Sequence, residues 1–296
     1  MTVDLRGIIV PMVTPLRPDQ ALDTEALAHV TEHLIASGVH GLFPAGSQGE
    51  FFALTANERE LLFALVVEQT AGRVPVVCGT GAVTTRETVA LSRAAQAAGA
   101  DAVAVISPYF IRPSDAELRA HFMAVCEAVD LPVLAYNNPA RTGVPLSADL
   151  IASLADEAPN FCGIKDSSGD LTLTLSYQQR CPEGFKVFVG RDTLIYAALC
   201  HGCAGSVAAS ANVAPKLVAG IYQAYVAGDR ERALECQCAL NPLRQVFGLG
   251  SFPVVVKEAM ALAGMPVGRC RAPIDPLSSE ARAELEGVVQ GLASWL

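Results

Sequence analysis

The decapeptide FCGIKDSSGD (residues 161–170) closes an apolar run with a lysine and then turns through small polar residues. Lysine is almost never fully buried unless it is paired or put to use, so Lys165 raises a chemical question. An ammonium pressed against Cys162 and Ile164 in a low-dielectric interior loses solvation, and its pKa falls. The neutral amine is the nucleophile that forms a Schiff base with a ketone. Tyr136, in YNNPARTG (residues 136–143), offers a phenol that can carry protons to and from such a centre. PAGSQGE (residues 44–50) sets Ser47 and Gln48 in a glycine turn ahead of a helix, where backbone N–H groups suit a carboxylate. Arg141, just past Tyr136, could clamp a second carboxylate. Each residue also has a plain structural reading: Lys165 could pair with Asp166 or Asp192, Tyr136 could fill a core, and Arg141 could ride on a surface loop. Convergence on one rim is what favours chemistry.

That convergence depends on the elements that carry the residues. Eight short apolar runs recur along the chain: GIIVPMV, GLFPA, VPVVCG, DAVAVIS, LPVLAYN, FCGIKD, KVFVG and GCAGSVAA. Continuous apolar runs of this length read as strands buried on both faces. Between them lie segments with helical spacing, such as TEALAHVTEHLIASG and TRETVALSRAAQAAG, with Thr near their starts and Gly at their ends. Eight strand–helix units predict an α/β fold with parallel strands closed into a (β/α)8 TIM barrel. An open doubly wound sheet is the alternative, but no Gly-x-Gly-x-x-Gly follows the first strand. Residues 1–228 are expected to form the barrel. Residues 229–296, which read as helices only, are expected to form a C-terminal extension packed on it within one functional domain. Chemistry in such a barrel gathers at the C-terminal strand ends, where GSQG, SPYF, YNNPARTG, IKDSSGD and GRDT all fall.

Bulk properties narrow the function. The 296 residues carry a formal net charge of −9, which argues against a sequence-independent grip on nucleic acid and offers no polybasic patch for a membrane. The start MTVDLRGIIVPMVTP lacks the pattern of a signal peptide, and no apolar run is long enough to span a bilayer. A cytoplasmic location is expected. The nine cysteines are odd in number and scattered, so they read as small buried hydrophobes. CHGC (residues 200–203) lacks the second pair that a structural zinc needs. His29 and His33 have ligand spacing but no visible third ligand. No metal and no organic cofactor is expected.

Taken together, GSQGE, YNNPARTG and GIKDSSGD, in this order and spacing, resemble the dihydrodipicolinate synthase / N-acetylneuraminate lyase family. The resemblance runs over essentially the whole chain. It implies a class I pyruvate-dependent aldolase or synthase with a (β/α)8 barrel, acting on pyruvate or another 2-oxo acid plus a small aldehyde, commonly as a homotetramer. It implies catalytic roles for Lys165 as the Schiff-base lysine, Tyr136 as the proton carrier and Ser47 as a relay hydroxyl. Gln48, Arg141, Gly190, Val207 and Tyr109 are the implied substrate-binding positions, with Arg141 meeting the carboxylate of the aldehyde.

The chain departs from the family pattern in places. The synthases usually carry two hydroxyl residues where this chain has Ser47 and Gln48. They also carry a second tyrosine, reaching across a subunit interface, where this chain has Phe110 beside Tyr109. Phe51, Phe52, Ala56, Arg59 and Val83 stand where lysine-sensitive relatives place small or polar ligands, so lysine feedback is not expected. The retained Arg141 makes dihydrodipicolinate synthase-like condensation with a carboxylate-bearing aldehyde the leading activity. A catabolic 4-hydroxy-2-oxoglutarate or 2-keto-3-deoxy-sugar-acid aldolase or dehydratase is the alternative. A barrel that binds a 2-oxo acid without turnover is the alternative of another class.

Overall fold

The structure, a computed structural model, describes residues 3–296. Eight strands run in chain order: β1 (Gly7–Pro11), β2 (Gly41–Phe43), β3 (Val77–Gly79), β4 (Ala102–Ile106), β5 (Val133–Asn137), β6 (Phe161–Asp166), β7 (Lys186–Val189) and β8 (Gly205–Val207). Each coincides with one of the eight apolar runs. All pair in parallel, in the order β2-β1-β8-β7-β6-β5-β4-β3. The circle closes between β2 and β3 by a single bridge, Leu42 to Val76. Two backbone bonds flank it: the Leu42 N–H donates to the Pro75 carbonyl at 2.9 Å and the Gly79 N–H to Pro44 at 3.0 Å. Gly79 permits this approach, because a Cβ there would strike the Ala45 carbonyl.

Helices α1 (Thr24–Ala36), α2 (Ala56–Thr70), α3 (Thr85–Ala97) and α4 (Asp115–Ala128) follow the first four strands. The short α5 (Pro139–Thr142) and then α6 (Ala148–Glu157) follow β5, and α7 (Leu171–Arg180), α8 (Ile195–Cys200) and α9 (Pro215–Val226) follow the last three strands. Side chains fix where they begin. Thr55 with Glu58, and Ser114 with Glu117, form reciprocal capping boxes, while Asp23, Ser147 and Asp170 accept from first-turn N–H groups. The strands alternate faces: Ile9, Phe43, Val77, Leu134 and Phe188 pack inside the barrel, whereas Ile8, Val10, Leu42, Val103 and Val133 pack outward with the helices.

One irregularity matters for the site. The register of β5 on β6 slips by a residue, from Val133 opposite Phe161 to Leu134 opposite Gly163. Without that slip Tyr136 would face Ile164, and the slip brings it opposite Lys165 instead. The remaining chain forms α10 (Arg230–Gln245), α11 (Val254–Leu262) and α12 (Ser279–Gly291). Buried Cys236, Leu240, Val255, Met260 and Leu285 join these helices to the outer hydrophobic shell of the barrel.

Candidate active site

Lys165 and Tyr136 are partners across β5 and β6 near the strand ends, each only 4 % exposed. The Lys165 Nζ lies 3.9 Å from the centroid of the Tyr136 ring and 4.9 Å from that of Phe43. Among the described residues, no ion pair is made to this lysine. Asp166, one of its conceivable partners, is occupied elsewhere. It accepts from Asn137 Nδ2 at 2.9 Å, Ser168 Oγ at 2.9 Å and Thr174 Oγ1 at 2.6 Å. Burial is the largest influence on the amine and holds its pKa below the ordinary lysine value, against the opposing pull of Tyr136 and Asp192.

Tyr136 is the hub of the polar contacts. Asn138 Nδ2 donates to its hydroxyl at 2.9 Å, and Ser47 Oγ lies 3.3 Å away. Burial alone would raise the phenol pKa. The Lys165 charge and hydrogen bonds from Ser47, Asn138 and Ser167 outweigh burial and lower it. The two groups are thereby coupled: a charged Lys165 favours the phenolate, and a phenolate favours the ammonium.

Ser47 and Gln48 are buried in the loop after β2. The N–H groups of Gly49 and Glu50 bond back to Gly46 and Ser47, whereas those of Ser47 and Gln48 meet no backbone acceptor among the described residues. Buried N–H groups without partners are costly, and two consecutive ones suit an incoming carboxylate. The loop is braced from a distance. Glu50, at its end, pairs with Lys257 of α11 at 2.6 Å with both side chains fully buried, and accepts from the Arg271 N–H at 2.9 Å. The loop after β7 is braced in the same way by α10: Gln237 Nε2 donates to the Asp192 carbonyl at 3.0 Å.

These loops enclose a cavity of about 280 Å³. Seven of the eight expected site residues line it: Lys165, Tyr136, Ser47, Gln48, Arg141, Gly190 and Val207. Val207 supplies apolar wall from β8. Gly190 lets the chain pass close to Ser167, whose hydroxyl a Cβ would strike. Tyr109 is not brought to this cavity. It lies in the adjoining depression, with its ring 5.8 Å from that of Phe51. Phe110 turns away from its own cavity and is 98 % exposed, with φ 73°.

Sequence reasoning missed several lining residues. Asn138, the second Asn of YNNP, was adjacent to a quoted motif and could have been found. The sequence suggests Asp192 only as a salt-bridge partner for Lys165. It is buried, its Oδ2 accepts from the Ser210 N–H at 2.8 Å, and its Oδ1 has no partner among the described residues. Arg244, Phe247 and Phe252 come from the helical extension, where nothing in their local sequence points to a site. The arrangement can hold a small 2-oxo acid by its carboxylate, present an amine to its ketone and pass protons through one phenol.

Comparison with known proteins gives a consistent picture. The profile described as "Dihydrodipicolinate synthetase family" matches residues 4–292. A 4-hydroxy-tetrahydrodipicolinate synthase from Methanoculleus marisnigri is 40 % identical over 286 residues, covering 96 % of this chain and 98 % of the relative. The crystal structure of dihydrodipicolinate synthase from Aquifex aeolicus superimposes with a TM-score of 0.95 at 32 % identity, over 99 % of each chain. YagE, a prophage protein of the dihydrodipicolinic acid synthase family from E. coli K12, was solved in complex with pyruvate. It superimposes with a TM-score of 0.95 at 36 % identity, over 98 % of this chain and 99 % of its own.

Proposed function

Because the chain belongs to the dihydrodipicolinate synthetase family, a family of class I aldolase-type lyases, we propose that Lys165 is its Schiff-base lysine and pyruvate its first substrate. The observation that carries the proposal is a buried amine with no carboxylate partner among the described residues, stacked on a phenol that contacts a second hydroxyl. The neutral amine adds to the C2 carbonyl of pyruvate, and uptake of a proton with loss of water leaves an iminium. A proton leaves C3 to give an enamine. C3 then attacks the aldehyde carbon, a C–C bond forms, and the aldehyde oxygen takes up a proton. Water hydrolyses the iminium, or the amino group of aspartate semialdehyde attacks it and closes a ring, and either route releases the lysine amine and a proton. Tyr136 carries these protons, Ser47 connects to it, and the Ser47 and Gln48 N–H groups hold the pyruvate carboxylate. Arg141 meets the carboxylate of the aldehyde. The activity is therefore of the 4-hydroxy-tetrahydrodipicolinate synthase type.

The helices after Asp229 act in the same functional unit as the barrel, because Arg244 and Phe252 line the cavity and Lys257 braces its loop. A homo-oligomer is part of the reading, supported by Phe110, Phe52 and Ile111, which stand exposed. Nine free thiols suit a reducing compartment such as the cytoplasm, and among the described residues no helix is long and apolar enough to cross a membrane. The test is a panel of pyruvate-dependent condensations and reverse cleavages. Aspartate semialdehyde is assayed against 4-hydroxy-2-oxo acids, with Lys165→Ala as control. Condensation of the semialdehyde, lost in the variant, supports the proposal. Cleavage of hydroxy-oxo acids alone replaces the synthase by a catabolic aldolase, and pyruvate binding without turnover replaces it by a non-catalytic barrel.

A further inference from the structure

The cavity holds more positive charge than one carboxylate needs. Arg141, Arg191 and Arg244 reach it from three elements: α5, the loop after β7, and α10. Among the described residues, none of the three takes part in an ion pair. Aromatic faces seat two of them instead: the Arg141 guanidinium lies 4.0 Å from the Phe252 centroid and that of Arg244 lies 4.9 Å from Phe247. Arg191 lies against Gly169. Among the described residues the one carboxylate lining the cavity is Asp192, so the three guanidinium groups, with Lys165 left out of the count, leave an excess of two positive charges. Their mutual repulsion is felt. Burial lowers the pKa of Arg244, Asp192 opposes, and Arg191 and Arg141 lower it further. In a chain of net charge −9, such a concentration of unpaired cations calls for a ligand of opposite sign.

We propose that the Lys165 site also accepts an aldehyde carrying two negative charges, with Arg191 and Arg244 receiving the anionic group that Arg141 leaves unmatched. This rests on the Schiff-base reading above and extends it to a substrate class. Aspartate semialdehyde, with one carboxylate and one ammonium, uses only part of the cation face. A dianion, either a dicarboxylate or a phosphate ester, satisfies all of it. Arginine suits both, since its planar fork pairs with two oxygens at once. Arg191 and Arg244 are thus specificity-determining residues of the cavity.

The test uses matched aldehydes with pyruvate held constant: succinic semialdehyde, its 2-carboxy derivative (2-oxoethyl)malonate, and glyceraldehyde 3-phosphate beside glyceraldehyde. The expected result is a kcat/KM for at least one dianion about tenfold or more above its partner of lower charge, carried mainly by KM. A preference confined to (2-oxoethyl)malonate identifies a dicarboxylate, and one confined to glyceraldehyde 3-phosphate identifies a phosphate ester. Arg244→Gln and Arg191→Gln should each shrink that ratio toward one. A ratio near one in the wild-type protein, or one unmoved by both substitutions, overturns the proposal. If no aldehyde is consumed at all, borohydride labelling of Lys165 with pyruvate decides the Schiff-base reading separately. The cation face is then tested by calorimetry with methylmalonate against propionate. Tighter binding of the dianion that Arg244→Gln weakens upholds the face, and equal binding overturns it.

Discussion

Two residues decide whether this barrel does chemistry. Burial, rather than a neighbouring cation, lowers the pKa of Lys165, so its reactivity has a definite pH signature. The amine is nucleophilic only when unprotonated. A pKa held below the ordinary 10.5 means that this fraction grows at lower pH than for a free lysine. The rate of pyruvate-adduct formation should therefore rise with pH and level off before 10.5, as followed by rapid-quench mass spectrometry. A rate still climbing at 10.5 would remove desolvation as the cause. Tyr136→Phe keeps the ring stacked on the lysine and deletes only the hydroxyl that Asn138 and Ser47 contact. Turnover should fall by about 10²- to 10⁴-fold, with the adduct on Lys165 still detectable. A fall of less than tenfold would show that the proton travels another way.

At the scale of elements, the extension and the barrel meet at Glu50 and Lys257. Both are fully buried and carry opposite charges 2.6 Å apart. Removing one partner strands the other, a change that costs about 3–5 kcal/mol in such pairs. Lys257→Met should accordingly lower the unfolding free energy in urea by that order and weaken pyruvate binding as the Ser47–Glu50 loop loosens. Replacing both residues, Glu50→Gln with Lys257→Met, should recover much of the stability. If the double variant proved as unstable as the sum of the singles, the pair would not be coupled. The eight strands were legible because runs such as DAVAVI are apolar without interruption, as strands buried on both faces must be. Lys165, Tyr136, Ser47 and Gln48 were legible because each sits at a strand end within a short motif. The one-residue slip between β5 and β6 was not, since Val133 and Phe161 carry no mark of it. Arg244 and Phe252 were hidden because only tertiary packing folds α10 and its following loop over the barrel mouth.

For the whole molecule, the open question is what covers Phe110. Its ring is 98 % exposed on left-handed backbone, a costly state for an aromatic residue, and Ile111 and Phe52 are also exposed. Sedimentation of the wild-type protein should give a multiple of the 31.0 kDa chain mass, and Phe110→Asp should shift it toward smaller species. A wild-type monomer would contradict the subunit-contact reading. The cation face likewise draws Arg141, Arg191 and Arg244 from distant parts of the chain into one cavity of an otherwise acidic protein.

The central claim is that Lys165 becomes covalently joined to a 2-oxo acid. Borohydride reduction in the presence of pyruvate, followed by intact mass and peptide mapping, tests it most directly. The account predicts a single reduced pyruvyl adduct on the peptide containing Lys165, absent without pyruvate and absent in Lys165→Ala. An unmodified Lys165 under conditions that label a known relative, or an adduct that persists in Lys165→Ala, would contradict it.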